Sequence, residues 1–189
     1  ANNVFIGAVA GQSAGTVSNT TAVGTAAMGS AALSGSGNTA LGSTSASRIT
    51  SGINNVALGI NAGQRITTGN YNIAIGDSAL TGGAVLSLTG NSNIGIGRSA
   101  GSSMISGTQN IMIGENAGTT LNLANYNIIM GYNALSAGAG TGDYNIIMGA
   151  NAGIAMIGAG VAGNVIIGGN AATNNIGTTN NVIIGYNAQ

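Results

Sequence analysis

Asn72-Ile73-Ala74-Ile75-Gly76, followed by Asp77-Ser78-Ala79, is the stretch on which the rest of the chain is patterned. It reads as Asn, three apolar residues, Gly, two variable residues and Ala. The same pattern returns as Asn55-Val56-Ala57-Leu58-Gly59 with Ala62, as Asn110-Ile111-Met112-Ile113-Gly114 with Ala117, and as Asn181-Val182-Ile183-Ile184-Gly185 with Ala188. Aligned on the glycine, eleven copies fill the chain, at Gly7, Gly24, Gly42, Gly59, Gly76, Gly97, Gly114, Gly131, Gly149, Gly168 and Gly185. Successive copies lie 17 to 21 residues apart. Four residues before the glycine stands Asn3, Asn38, Asn55, Asn72, Asn93, Asn110, Asn127, Asn145, Asn164 or Asn181, with Thr20 as the exception. Three residues after it stands Ala, with Ser45 as the exception.

The residues before each glycine are short and rich in β-branched types, which favours strand over helix. A period near 17 is too short for paired-helix repeats, which need about 33 residues or more. It suits one coil of a β-solenoid, in which each offset stacks on itself every ~4.8 Å and eleven coils make a rod about 50 Å long. The expected fold is therefore all-β: a single-chain β-solenoid of about eleven coils, with residues 1–189 forming one continuous repeat domain uncapped at either end. Offsets are counted from the glycine. The asparagines at −4 suit turns, where their amides satisfy backbone groups and ladder with one another. The glycines suit a corner with positive φ or a close backbone approach. Spacing varies only between the Ala and the next Asn, so insertions such as residues 80–90 fall on one looser side.

Strand alternation sends neighbouring side chains to opposite faces. Offsets −3 and −1, such as Ile73 and Ile75 or Ile111 and Ile113, are expected to point into the coil. Offset −2 then faces outward, yet it is apolar throughout: Phe5, Ala57, Ala74, Met112, Ile129, Ile147, Ile166 and Ile183. An outward apolar column of that length calls for a cover. Another copy of the chain, associated along the rod, is the expectation, and a second wall of the same chain is the alternative. The column is small early and large late, which suggests a packing distance that widens along the rod.

Composition narrows function by exclusion. Charged residues are 3% of the chain, against about 25% in an ordinary domain, and three Arg balance three acids. Nothing here would neutralise a nucleic acid. The chain contains no His and no Cys, so neither a nucleophile–base pair nor a thiolate site can be assembled. No enzyme activity, cofactor or metal site is expected. Residues 150–169 are uncharged for the length of a membrane helix, but their glycines and the in-phase Asn151 and Asn164 assign them to coils rather than to a membrane.

The few charges fall in register. Asp77, Arg98 and Glu115 share offset +1 in consecutive coils and are expected to stack as an acid–base–acid ladder of structural type. Arg48 and Arg65 share offset +6 in adjacent coils, which is repulsive unless they splay or bind an anion or glycan. Tyr126 and Tyr144 share offset −5 and should stack; Tyr71 holds the same offset earlier. No Thr column recurs in every coil, which argues against a flat ice-binding array.

The repeats at Asn55–Gly59 and Asn72–Gly76, each with its Ala, resemble the head repeats of trimeric autotransporter adhesins and are similar to repeats in phage tail fibres. That resemblance implies a left-handed β-roll and three chains associated along their length. The expected function is a structural protein, extracellular, forming a fibre or filament by lateral self-association, with a trimer favoured and end-to-end stacking as a further mode. The alternative is an adhesin or tail-fibre module whose variable loops bind surface glycans.

Overall fold

The computed structural model describes residues 2–29, 32–83, 87–137, 142–154, 156, 161–173 and 179–189. These form a parallel β-solenoid. Eleven three-residue strands, β1 (Val4–Ile6), β2 (Thr21–Val23), β3 (Thr39–Leu41), β4 (Val56–Leu58), β5 (Ile73–Ile75), β6 (Ile94–Ile96), β7 (Ile111–Ile113), β8 (Ile128–Met130), β9 (Ile146–Met148), β10 (Val165–Ile167) and β11 (Val182–Ile184), make one sheet in chain order. Every neighbouring pair is parallel and in register with the repeat: Ile73 lies beside Ile94, Ala74 beside Gly95 and Ile75 beside Ile96. The remaining 14 to 18 residues of each coil return the chain to the start of the next strand.

The motif glycine makes the corner after each strand. Gly76 has φ +122°, and a Cβ there would sit 2.7 Å from the Gly97 carbonyl oxygen. The same clash with the following coil recurs at Gly114, 2.6 Å from the oxygen of Gly131. Both demands in the sequence reading, positive φ and close approach, hold at this corner. Two residues on, a second positive-φ position holds Asn61 (φ 55°), Ser78 (57°) and Asn116 (57°), residue types that tolerate or are turned to that conformation.

The core runs through the middle of the coils, and it corrects the expected faces. The central residue of the strand points inward: Ala57, Ala74, Met112, Ile129, Ile147 and Ile166 are fully buried inside the single chain. The column assigned to an inter-chain face is therefore the chain's own core. In the outermost coils Phe5 is partly exposed and Ile183 packs against the core cluster. Offsets −3 and −1, expected inside, point outward and are half-buried in most coils. Size explains the reversal. Several coils also drive a +3 Ala (Ala62, Ala79, Ala117) or an aliphatic at +7 (Ile49, Ile66, Leu121) into the same narrow interior. One side chain per strand fits there, and two do not.

Size varies along the inward column, and neighbours compensate for it at two positions. Where the column is empty at Gly95, Leu80 fills the space, and a Cβ on Gly95 would lie 2.7 Å from Leu80 Cγ. Where it is large at Met112, glycines stand opposite: a Cβ on Gly101 would meet Met112 Sδ at 2.7 Å, and one on Gly118 would meet Met112 Cγ at 2.8 Å. At these two positions a large residue stands against a small one.

Among the described residues no helix is long and apolar enough to cross a membrane. Of the apolar stretch 150–169, residues 155 and 157–160 lie outside the described set, as do residues 84–86 of the longest insertion.

Candidate functional site

Three side-chain ladders run along the rod over different lengths. The innermost is the −4 asparagine column. Asn72 donates its backbone N–H (2.9 Å) and its side-chain Nδ2 (3.1 Å) to Asn55 Oδ1, and gives a second Nδ2 bond to the Gly90 carbonyl at 2.9 Å. Its own Oδ1 accepts the same pair from Asn93. The unit repeats through Asn110, Asn127, Asn145, Asn164 and Asn181. At the start of the chain Asn3 Oδ1 accepts from the Thr20 backbone N–H, and Asn3 Nδ2 donates to the Val17 carbonyl. Thr20 turns its hydroxyl to the Ser18 carbonyl of its own coil, so no side-chain bond joins it to Asn38. Among the described residues no buried side-chain polar atom is left without a partner. An amide carries both a donor and an acceptor, so one residue type can pass the bond along indefinitely.

A second polar ladder lies at offset −6, and the sequence reading did not single it out. Asn70 donates to Asn91 Oδ1, Thr108 to Asn125 Oδ1, and Asn125 to Asp143 Oδ1 at 2.7 Å. It runs in the opposite sense to the −4 ladder, from each coil to the next. Recurrence of Asn at 70, 91 and 125 was its only signal, and the interruptions at Thr108 and Asp143 hid it. A partial third ladder at offset +2 joins Asn116 to Asn133 and Asn151 to Asn170.

The outer surface carries what could meet another molecule. The −3 and −1 aliphatics form two parallel columns on one face, half-buried in most coils, with Leu41 51% exposed. Tyr126 and Tyr144 stack with ring centroids 4.9 Å apart and planes within 1°. Both are held at left-handed backbone (φ 60° and 61°), as is Tyr71, which has no ring partner among the described residues. Of the expected charge ladder, Arg98 pairs with Glu115. Asp77 does not join it; its carboxylate accepts the Ser78 hydroxyl at 2.7 Å. A short Asp side chain reaches its neighbour in sequence sooner than the next coil. The ladder is thus a pair, and the acids do not converge on a metal site among the described residues.

Comparison with known protein families, characterised proteins and solved structures gives no match for this chain.

Proposed function

We propose that the chain is a structural rod that associates side by side with copies of itself, a trimer being the favoured assembly, and serves as the shaft of an extracellular fibre or filament. The observation that carries this reading is the outward −3 and −1 aliphatic face. The −1 column is Ile, Val, Leu or Met in all eleven strands, and the −3 column is Ile or Val in nine, with Thr21 and Thr39 in β2 and β3. By strand spacing, that face is about 50 Å long. A half-buried aliphatic face of that length calls for a cover. Offset −2 is buried within the single chain, so the interface falls on its two outward neighbours. The resemblance to adhesin heads and tail-fibre repeats supports the same arrangement. Coil-on-coil stacking into longer filaments belongs to the same reading, since each coil presents an in-register parallel edge to the next. No catalytic role or cofactor is proposed.

The test is solution mass by light scattering, with negative-stain imaging. A mass of three 18.0 kDa chains is expected. Replacing Ile111 and Ile128 with Glu should return single chains that keep their β signature. A wild-type mass of one chain overturns the reading.

A second reading, surface-glycan binding, is favoured by the exposed stacked pair Tyr126 and Tyr144, since flat aromatic faces suit sugar rings. A neutral glycan array tests it, with Tyr126→Ala as the control.

A further inference from the structure

Among the described residues, Arg48 and Arg65 are the two arginines left without a counter-ion. Neither guanidinium has an ion-pair or hydrogen-bond partner among the described residues. All three acids of the chain are described, and each is engaged elsewhere: Glu115 with Arg98, Asp77 with Ser78 and Asp143 with Asn125. The register then holds the two arginines together. Arg48 donates its backbone N–H to the Gln64 carbonyl at 3.0 Å, and Arg65 is the next residue. Arg65 in turn donates its backbone N–H to Thr81. The two side chains therefore leave the same wall one coil spacing apart, about 4.8 Å. Arg48 is exposed and Arg65 half-exposed.

Two like charges set in register oppose each other unless an anion lies between them. A guanidinium presents a planar fork of donors that takes an oxoanion through two oxygens. Two such forks on one wall, with Thr68 exposed and Thr67 half-buried beside them, would hold a doubly oxygenated anionic group and offer hydroxyl contacts to the ring that carries it. We propose that Arg48 and Arg65 form a binding site for an acidic polysaccharide, engaged through its sulfate ester or uronate groups. This site is separate from the aliphatic face and from the tyrosine pair. It depends on the rod reading only in needing intact coils.

The experiment is calorimetric titration of the assembled protein with a dextran sulfate oligomer, a polygalacturonate oligomer, unsulfated dextran and inorganic sulfate. At least one acidic oligomer should bind, with affinity that falls as sodium chloride is raised, and unsulfated dextran should not. The Arg48→Gln/Arg65→Gln variant should lose about tenfold or more in affinity. Arg98→Gln, which removes the arginine already paired with Glu115, should bind as the wild type does. The Arg48→Lys/Arg65→Lys variant keeps the charge and loses the fork, and should bind more weakly than wild type. The proposal is overturned if neither acidic oligomer binds, if only inorganic sulfate binds, or if either double variant keeps wild-type affinity. Light-scattering mass on the same samples reports the assembly separately, so failure of this site and failure of the rod are distinguishable.

Discussion

At the scale of single residues, the motif glycine and asparagine do different work, and substitutions separate them. Gly114 and Gly185 share the same corner, with φ +127° and +133°. A methyl group at Gly114 would strike the next coil's Gly131 carbonyl at 2.6 Å, whereas at Gly185 the nearest atom is Ala188 Cβ at 3.7 Å. Gly185→Ala should therefore cost the backbone strain alone, of the order of 1–3 kcal/mol. Gly114→Ala should cost clearly more, and chemical denaturation of the two variants measures the difference. Asn72→Ala removes the acceptor used twice by Asn93 and the donor used by Gly90. About 1–3 kcal/mol for each buried group left unpaired puts this loss at several kcal/mol. Thr20→Asn should act the other way and stabilise by about 1 kcal/mol, because it restores the acceptor that Asn38 lacks. These columns were legible because a near-constant period lays identical residues on one another. The turn of Asp77 toward Ser78 was not legible, because stacking of Cα positions does not fix where a short carboxylate points.

At the scale of the strand, alternation was legible and the choice of face was not. Ile73, Ala74 and Ile75 are all apolar, so polarity could not say which side met water. The deciding quantity was interior volume, which depends on Ala79 and Leu80 arriving from the far wall of the same coil. Such a contact belongs to the closed coil and not to the strand. The assignment can be tested by paired substitutions in one strand. Ile129→Ala, on the inward face, should cost about 2–5 kcal/mol through the cavity it leaves. Ile128→Ala, half-buried on the outward face, should cost the isolated chain appreciably less. Its larger effect should appear in the light-scattering mass of the assembly. Gly95→Ala should destabilise by about 1–3 kcal/mol, because Leu80 already fills that space.

At the scale of the whole rod, stability is a sum over coils and the contacts between neighbours. Among the described residues those contacts are hydrogen bonds and apolar packing, with one exposed ion pair. Side-by-side assembly should therefore be insensitive to salt, and light-scattering mass should stay constant between ~0.1 and ~1 M sodium chloride. A mass that falls with salt would mean that charge, and not the aliphatic face, joins the chains. The interruption of the asparagine column at Thr20 has a mechanical meaning. Inter-coil bonds point along the rod, so a pull on its two ends loads them directly, layer after layer in series. A chain of links in series parts at its poorest link. Among the interior layers, the one between β2 and β3 has no amide bond passing from Thr20 to Asn38. Under tension the shaft should yield there first, which would make one threonine the fuse of an otherwise uniform cable.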